Sequence, residues 1–173
     1  GEYVIVAASN SSQVVKDSAD YVADGTADEV EIESALSELP VNGGTVYLTE
    51  GTYNIATTIN MGANDRLIGS GEGTILFLTA SRLSDTNVIQ LEANSKVSYI
   101  KIDGNKINQS NTNALVGVYV NGSNATVSDV TIVQVEDEGV LVGSNQTLLT
   151  NLNIQDTNSH GVAFGWATSY NTI

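Results

Sequence analysis

The hydrophobic periodicity of the sequence changes once, at Gly43–Gly44, and this change constrains the fold more than any other feature. Before it, Ile32, Ala35, Leu36 and Leu39 recur at the spacing that places side chains on one face of a helix. After it, apolar and polar residues alternate with period two, as in half-buried strands. The alternating segments are Val46–Leu48, Val88–Leu91, Val97–Ile102, Val116–Val120, Val127–Ile132, Val140–Val142, Leu148–Ile154 and Val162–Phe164. The sequence therefore predicts one short amphipathic helix followed by a long series of strands.

The predicted helix has its own start and stop signals. Thr26 and Glu29 fit a capping box, and Pro40 ends the helix before the Gly-Gly pair, which leaves about three turns. Its acidic residues are expected on faces away from the core: Glu29, Glu31, Glu33 and Glu38. Upstream, Tyr3–Ala8 predicts an edge strand, and Gln13–Val22 fits either a short helix or an irregular segment.

The strand-rich part contains a repeat. Two Gly-Ser-Asn turns, Gly122–Asn124 and Gly143–Asn145, start 21 residues apart (143 minus 122). Aligned on these turns, residues 124–142 superimpose on residues 145–164, with two short strands, a polar turn and a third strand in each copy. A coil of roughly 20–25 residues cannot bury its own apolar face, so such coils stack and share one core. Asn residues in stacked turns can form hydrogen-bonded ladders.

These patterns predict one all-β domain spanning residues 1–173, built as a solenoid. Residues 1–44 form an N-terminal strand and a capping helix, and residues 45–173 form about five stacked coils. A β-sandwich is the competing all-β fold, but it predicts neither the recurring Gly-Ser-Asn turns nor the single helix near the start.

Charge and composition exclude several classes of partner. The chain carries 20 acidic residues against 6 Lys and Arg, for a net charge of −14. Such a surface repels phosphate backbones, so nucleic acid and anionic membranes are poor partners. An acidic polysaccharide would need metal ions to bridge the two negative charges. The sequence has no apolar run long enough to insert into a membrane and no Cys for disulfides or thiolate chemistry.

The stretch Asp24–Ile55, DGTADEVEIESALSELPVNGGTVYLTEGTYNI, resembles a known N-terminal signature. It is similar to the helix and first coil of pectate-lyase-like proteins, in the right-handed parallel β-helix superfamily that also contains polygalacturonases and phage tailspikes. The resemblance implies a right-handed parallel β-helix whose open end is covered by the helix, with GGTVYLTEGTY beginning the first coil. Enzymes, adhesins and surface proteins share this signature, so it implies a fold and not a chemistry.

The polygalacturonases of this superfamily suggest catalytic candidates. They carry an Asn-Thr-Asp, a double Asp and a Gly-His-Gly on adjacent coils, and this chain has counterparts in that order: Asn111-Thr112-Asn113, Glu136-Asp137-Glu138 and Ser159-His160-Gly161. Paired carboxylates there would act as general acid and base on a glycosidic bond. Asn113 stands where an acid is expected, Ser159 replaces a Gly, and the basic motif that follows in those enzymes is missing from this sequence. The residues to test are Glu136, Asp137 and His160.

A lyase mechanism would instead need an Arg or Lys base beside carboxylate-bound calcium. The arginines are Arg66 and Arg82, with Asp65 and Asp85 nearby. The candidate calcium ligands are Asp103, Glu136, Asp137 and Glu138. No EF-hand or RTX-like spacing supports a calcium site, and a solvated acidic turn is the competing interpretation.

Two further sets of residues bear on a cell-surface role. Aromatic side chains that could stack on sugars are Trp166, Tyr170, Tyr119 and Tyr53, with a core or ladder position as the competing interpretation for each. Candidate N-glycosylation sites are Asn10, Asn108, Asn121, Asn124 and Asn145.

The residues after His160 read as a fresh coil with no polar cap or closing helix. Because solenoids need a cap at both ends, we expect that the chain continues beyond Ile173 or that another subunit covers this edge. The sequence alone therefore favours a non-catalytic extracellular or cell-surface module, either structural and self-assembling or carbohydrate-binding. The alternative is a polysaccharide hydrolase or lyase, and a third possibility is a trimeric, tailspike-like receptor-binding segment.

Overall fold

The computed structural model describes residues 3–80, 84–109, 114–165 and 168–173. Helix α1 is Gln13–Asp17, helix α2 is Glu29–Ser37, and a short 3₁₀ helix covers Lys106–Asn108. The strands are β1 Tyr3–Ala7, β2 Tyr21–Val22, β3 Thr45–Leu48, β4 Gly51–Ile55, β5 Ile59–Asn60, β6 Arg66–Ile68, β7 Thr74–Leu78, β8 Thr86–Leu91, β9 Lys96–Asp103, β10 Leu115–Val120, β11 Thr126–Val135, β12 Val140–Val142, β13 Leu148–Thr157 and β14 Val162–Phe164. None of the described helices is long and apolar enough to cross a membrane.

The strands form two sheets, and every pairing among the named strands is parallel. The larger sheet has nine strands in the order β13-β11-β9-β6-β3-β1-β2, with β4 paired to β7 and β7 also paired to β9. The smaller sheet has five strands in the order β14-β12-β10-β8-β5. The predicted fold is thereby confirmed at the level of parallel β-sheets with little helix.

The N-terminal strand does not lie at an edge. Strand β1 pairs on one side with β3 and on the other with β2, so the edge prediction for Tyr3–Ala8 was wrong. The cause is Gln13–Val22, for which the sequence left helix and irregular structure open. It forms α1 and then the two-residue strand β2, which returns to cover the free side of β1.

Register shows how far apart in sequence the stacked residues lie. Strand β11 stacks on β13 with Val127 opposite Leu149, an offset of 22 residues, whereas Val97 lies opposite Val127, an offset of 30. The 21-residue alignment was therefore wrong by one residue: Asn124 corresponds to Gln146, not to Asn145. The 30-residue offset reflects the longer connection between β9 and β10. The turns at residues 121–125 and 143–147 are equal in length, but the Gly-Ser-Asn triplet stands one position earlier in the second turn, so an alignment on the triplets is shifted by one residue.

Left-handed backbone conformations recur at one corner of the repeat. Asn64, Asn94, Asn124 and Gln146 all have positive φ, between 57° and 69°. Asn tolerates this conformation better than most residues because its short polar side chain bonds locally. The Asn94 side-chain amide donates to Asn64 Oδ1 at 3.1 Å, which confirms the expectation of Asn ladders at the turns.

The core consists of aliphatic side chains stacked in register along the sheets. One row is Val46, Leu67, Val97, Val127 and Leu149, each completely buried. Neighbouring parallel strands lie about 4.8 Å apart, so these side chains are in continuous van der Waals contact. Alternate residues of the same strands face outward and carry the polar groups.

Helix α2 is joined to the strands by two buried carboxylates. Asp28 Oδ2 accepts a hydrogen bond from the backbone N–H of Asn54 at 2.7 Å, and Glu29 Oε2 accepts from Ala56 N at 2.9 Å. Both acids are buried, so Glu29 does not lie on an outer face of the helix as predicted. The capping-box prediction was also wrong: the helix starts at Glu29 after Asp28, and the N–H of Thr26 is bonded by the side chain of Asp24. Glu29 is used for a tertiary contact instead.

Candidate functional site

Two polar turns lie one above the other at the edge of the smaller sheet. Residues 136–139 connect β11 to β12, and residues 158–161 connect β13 to β14; we call them the stacked turns. Ser159 N donates to the carbonyl of Asp137 at 3.3 Å, and Gly139 N donates to the carbonyl of His160 at 3.0 Å. A Cβ at Gly139 would lie 2.7 Å from the carbonyl oxygen of Gly161, so this close approach requires glycine.

Side chains bridge the two turns. Asn158 Nδ2 donates to Glu136 Oε2 at 2.9 Å. Ser159 Oγ lies 3.1 Å from Glu138 Oε1 and 2.9 Å from His160 Nδ1. The side chain of Glu138 is only 16% exposed, while that of His160 is 70% exposed. A carboxylate that is mostly sheltered is thus linked through one hydroxyl to an imidazole in solvent.

The chemistry of these three groups sets the histidine tautomer. An ionised carboxylate only accepts hydrogen bonds, so the Ser159 hydroxyl donates its proton to Glu138. The hydroxyl oxygen then accepts from His160, which requires the ring proton on Nδ1. In the neutral form of the ring, Nε2 then carries the lone pair on an exposed side chain, the arrangement that a general base or a proton shuttle needs.

The structure brings the predicted catalytic candidates together in part. Glu136, Asp137 and His160 all lie in the stacked turns, but His160 stacks on Glu138 and not on Asp137. Ser159, which counted in the sequence as a departure from Gly-His-Gly, is the residue that links Glu138 to His160. An offset of 22 residues places His160 opposite Glu138, whereas the sequence comparison paired His160 with Asp137 at a spacing of 23 residues. The Asn111-Thr112-Asn113 motif lies outside the described residues.

The proposed calcium ligands do not form a compact cluster. Asp103 lies at the end of β9, where its Oδ1 accepts from Asn105 N at 2.9 Å, and Glu136–Glu138 lie in the next turn. Within the described ranges, no group of three or more His, Asp or Glu side chains could hold a metal ion. Calcium binding therefore has no geometric support from these four residues.

The residues considered for a lyase are separated as well. Arg66 is exposed on β6, while the neighbouring Asp65 is buried, with its Oδ2 accepting from Gly62 N at 3.0 Å. Burial raises the pKa of the Asp65 carboxyl, and the hydrogen bond from Gly62 offsets part of that rise. Asp85 Oδ1 accepts from the backbone of Ala114 at 2.8 Å. Arg82 lies outside the described residues.

The aromatic candidates fall into buried and exposed groups. Tyr53 is completely buried and its hydroxyl donates to the Val6 carbonyl at 2.9 Å, so it cannot stack on a sugar. Desolvation raises its pKa to about 12. Tyr119 is half-buried and Tyr170 is exposed, while Trp166 lies outside the described residues. Sequence reasoning missed the exposed pair formed by Tyr3 and Tyr47, whose ring centroids are 5.9 Å apart.

The candidate glycosylation sites differ in how their side chains are used. Asn108 Nδ2 donates to Asn105 Oδ1 at 2.7 Å, and Asn121 Nδ2 donates to Glu92 Oε1 at 2.8 Å. A glycan would be attached through the same nitrogen, so it would break these bonds. Asn10 and Asn145 use Oδ1, which accepts from the backbone N–H groups of Thr52 and Ser169. Asn124 is exposed at its turn.

The chain matches no protein-family model and no curated protein sequence. Solved structures are similar to it in fold. The A-module of mannuronan C-5 epimerase AlgE4 from Azotobacter vinelandii matches 82% of this chain and 50% of its own length, with 16% identity and a TM-score of 0.63. ORF18 of Geobacillus virus E2 matches 84% of this chain and 38% of its own length, with 18% identity and a TM-score of 0.59.

A third similar structure is a protein from Parabacteroides merdae, provisionally assigned as a glycosyl hydrolase. It matches 83% of this chain and 87% of its own length, with 13% identity and a TM-score of 0.55. The chain thus spans about half the length of the epimerase module. At these identities the likeness concerns the fold alone. It supports the parallel β-helix fold that the resemblance of Asp24–Ile55 implied, and it does not test that motif itself.

Proposed function

We propose that the two sheets are walls of a right-handed parallel β-helix, that α2 covers its N-terminal end, and that this β-helix belongs to a polysaccharide-active protein. Parallel pairing between strands 21 or more residues apart supports the solenoid, since each chain turn then stacks on the next. The cap is supported by Ile32, Ala35 and Leu36, which are buried in the same core cluster as the strands.

The polysaccharide assignment is supported by what the similar structures are: one is an epimerase of mannuronan and another is provisionally a glycosyl hydrolase. They favour the enzyme alternative over the non-catalytic module preferred on sequence alone. The non-catalytic structural or self-assembling module gains no such support.

The chemistry we infer is proton transfer on an acidic polysaccharide at the stacked turns. In a uronate, the C-5 hydrogen lies next to the carboxylate, and both elimination and epimerisation begin with its removal by a base. His160 is suited to this role because Nδ1 is held by Ser159 and Nε2 is left to accept a proton. Glu138, linked through Ser159, stabilises the imidazolium that forms. This Glu138–Ser159–His160 contact is the observation that carries the proposal. The second proton goes to the leaving O-4 in elimination and to the opposite face of C-5 in epimerisation, and a protonated carboxyl of Glu136 or Asp137 would donate it.

Turnover of defined polymers tests this proposal. The protein is incubated with polymannuronate and with polygalacturonate, with and without calcium. Elimination produces the ultraviolet absorbance of an unsaturated uronate, and hydrolysis produces reducing ends without that absorbance. Epimerisation exchanges the C-5 hydrogen for deuterium in D₂O without cleaving the chain. We expect either the unsaturated product or exchange at C-5, and we expect His160→Ala to lower that signal by about 100-fold or more.

Gln155→Ala is the matched control, because Gln155 is exposed on β13 of the same repeat and bonds only locally to Asn153. It should keep wild-type turnover. Turnover measured separately in Asp137→Asn and in Glu138→Gln shows which of the two carboxyl groups the reaction needs. A protein that yields neither the unsaturated product nor exchange at C-5, including one that only hydrolyses the polymer, would contradict the proposed chemistry. Turnover unchanged by His160→Ala would contradict it as well.

Several predictions from the sequence remain proposals about the same protein. They are export to the extracellular space or cell surface, self-assembly through the C-terminal strand edge, calcium as a cofactor, and trimerisation in the manner of tailspikes. Light scattering at high protein concentration, with and without calcium, would test the assembly proposals directly.

A further inference from the structure

We propose that the outer face of β3, β6 and β9 is a binding surface for the carboxylate groups of an acidic polysaccharide. Arg66 and Lys96 would bind the carboxylate, and the sugar ring would lie against Tyr47. The inference rests on the proposed function for the class of polymer, but it uses residues that lie apart from the stacked turns. We call Arg66, Lys96 and Tyr47 together the cationic face.

Register places the two cations side by side. Arg66 lies directly opposite Lys96 in the parallel pairing of β6 with β9, and Thr45 of β3 lies opposite Arg66. The residues that follow them, Leu67 and Val97, are completely buried. Because successive side chains of a strand point to opposite faces, Arg66 and Lys96 both point outward, on strands about 4.8 Å apart.

This arrangement is unfavourable unless an anion is bound. Like charges directly opposite each other on neighbouring strands destabilise a sheet. In the part of the chain that the structure describes, no acidic side chain forms an ion pair with Arg66 or Lys96, although Lys106 pairs with Asp156. Asp65 is the acid next to Arg66 in sequence, but it is buried and bonded to Gly62. Two unpaired cations meet on a chain of net charge −14, and a carboxylate would neutralise both.

A small pocket adjoins Arg66 and supplies neutral donors. Its volume is about 200 Å³, and it is lined by Asn42, Gly43, Gly44, Thr45, Asn64 and Arg66. The Asn64 oxygen accepts from Asn94, which leaves the Asn64 amide nitrogen as a donor for a ligand. A carboxylate on Arg66 would therefore sit beside amide and hydroxyl groups that can bond to sugar hydroxyls.

Aromatic rings complete the surface. Tyr47 follows Thr45 by two residues on the same face of β3 and is 42% exposed. Tyr3 of β1 is 61% exposed and packs edge to face on Tyr47, at an interplanar angle of 76°. Exposed tyrosines combine an apolar ring with a polar hydroxyl, which suits the face of a pyranose. The pairing of such rings with Arg66 and Lys96 points to a charged sugar and not to a neutral one.

A nucleic acid is the less suitable anion for this surface. It would present a continuous row of phosphates to a chain with 20 acidic residues, and only the local pair of cations would oppose that repulsion. A polymer whose charges are spaced by sugar rings places one carboxylate at a time against Arg66 and Lys96.

Calorimetric binding of short oligouronates tests the inference. The ligands are oligomannuronate, oligogalacturonate, the same oligomers with their carboxylates reduced to alcohols, and dextran sulfate. We expect the wild type to bind an oligouronate and not its reduced form. Arg66→Gln/Lys96→Gln should weaken that binding by about tenfold or more, and Tyr47→Ala by about threefold or more. Lys16→Gln/Lys106→Gln is the control, because it changes the net charge equally and should alter affinity by no more than about twofold.

The outcomes distinguish this inference from the proposed catalysis. The Arg66→Gln/Lys96→Gln variant should melt no lower than the wild type, because it removes a repulsive pair. Oligouronate binding that needs Arg66 and Lys96, in a protein without turnover, would keep the cationic face and overturn the proposed chemistry. If the wild type shows turnover but Arg66→Gln/Lys96→Gln binds the oligouronate with unchanged affinity, only the cationic face is overturned. The cationic face would also be overturned if the wild type bound the reduced oligomers or dextran sulfate as tightly as the oligouronate. Absence of binding to every ligand would overturn it as well.

Discussion

The buried carboxylate of Asp28 offers the sharpest test of how the N-terminal segment is attached to the strands. Asp28 is completely buried, and its two carboxylate oxygens accept from Gly25 N and Asn54 N at 2.7 Å each. Asn54 belongs to β4, so the second bond links residues 26 positions apart. Replacing Asp28 with Ala removes both bonds and leaves two backbone N–H groups without their acceptor.

The expected loss follows from those two bonds. A hydrogen bond to a charged group contributes about 1.5–3 kcal/mol, so Asp28→Ala should lower the free energy of unfolding by about 3–5 kcal/mol. That is a large part of the roughly 5–15 kcal/mol of a typical domain. Asp28→Asn keeps one acceptor and should lose about half as much. Urea denaturation followed by circular dichroism measures both values.

Glu33→Ala is the matched control for Asp28→Ala. Glu33 Oε1 also accepts two hydrogen bonds, from the backbone and side-chain nitrogens of Asn60 at 2.8 and 2.9 Å, but this contact is open to solvent. Because water replaces the lost partner, we expect a change below about 1 kcal/mol. If Asp28→Ala costs no more than Glu33→Ala, the buried carboxylate does not hold the helix to β4 and the reasoning is refuted.

Three other substitutions, and one control substitution at Gly71, test separate parts of the fold. Tyr53→Phe removes the hydroxyl that serves the buried Val6 carbonyl and should cost about 1–3 kcal/mol in the same denaturation assay; an unchanged midpoint would show that this bond contributes nothing. Burial raises the pKa of Asp65 in the folded state, so ionisation of this carboxyl opposes folding. Its contribution to the free energy of unfolding is therefore most favourable at acidic pH and is lost as the pH rises through the folded-state pKa. Asp65→Asn keeps an acceptor for Gly62, so it should equal or exceed the wild type in stability at neutral pH and lose that advantage below about pH 4; a variant less stable at neutral pH would contradict this. Gly139→Ala would place a Cβ 2.5 Å from the Ile154 side chain, so it should destabilise the protein by about 1–3 kcal/mol and lower any turnover at His160. Gly71→Ala is the control: Gly71 has open space around it but a positive φ, so the substitution should affect stability alone.

Local patterns in the sequence predicted the kinds of element correctly and their contacts poorly. The stripe of Ile32, Ala35 and Leu36 identified α2, and its residues are buried as expected. Glu29 has the same local context whether it closes a capping box or accepts from Ala56 and Thr57, because those two residues follow β4 and lie 27 and 28 positions away. Helical periodicity carries no information about such a partner.

In the candidate site, too, local patterns in the sequence predicted which residues lie near one another but not which of them are in contact. The sequence placed Glu136, Asp137 and His160 near one another because they recur at the length of the repeat. Which of them share a hydrogen bond depends on register, and one residue of register decides between Asp137 and Glu138 as the partner of the His160 turn. That register is set by the lengths of the turns and by their left-handed corners, neither of which a two-residue alternation reports.

The sequence by itself determined that a short helix precedes a long run of strands, because residue spacing and turn composition act over a few neighbours. The tertiary structure alone decided that β1 lies between two strands, that Tyr53 is a buried donor, and that Arg66 meets Lys96 across the sheet. The strand pairings join residues 15 to 42 positions apart, and the Tyr53 hydrogen bond joins residues 47 positions apart. Only the packing of the whole chain selects such pairs.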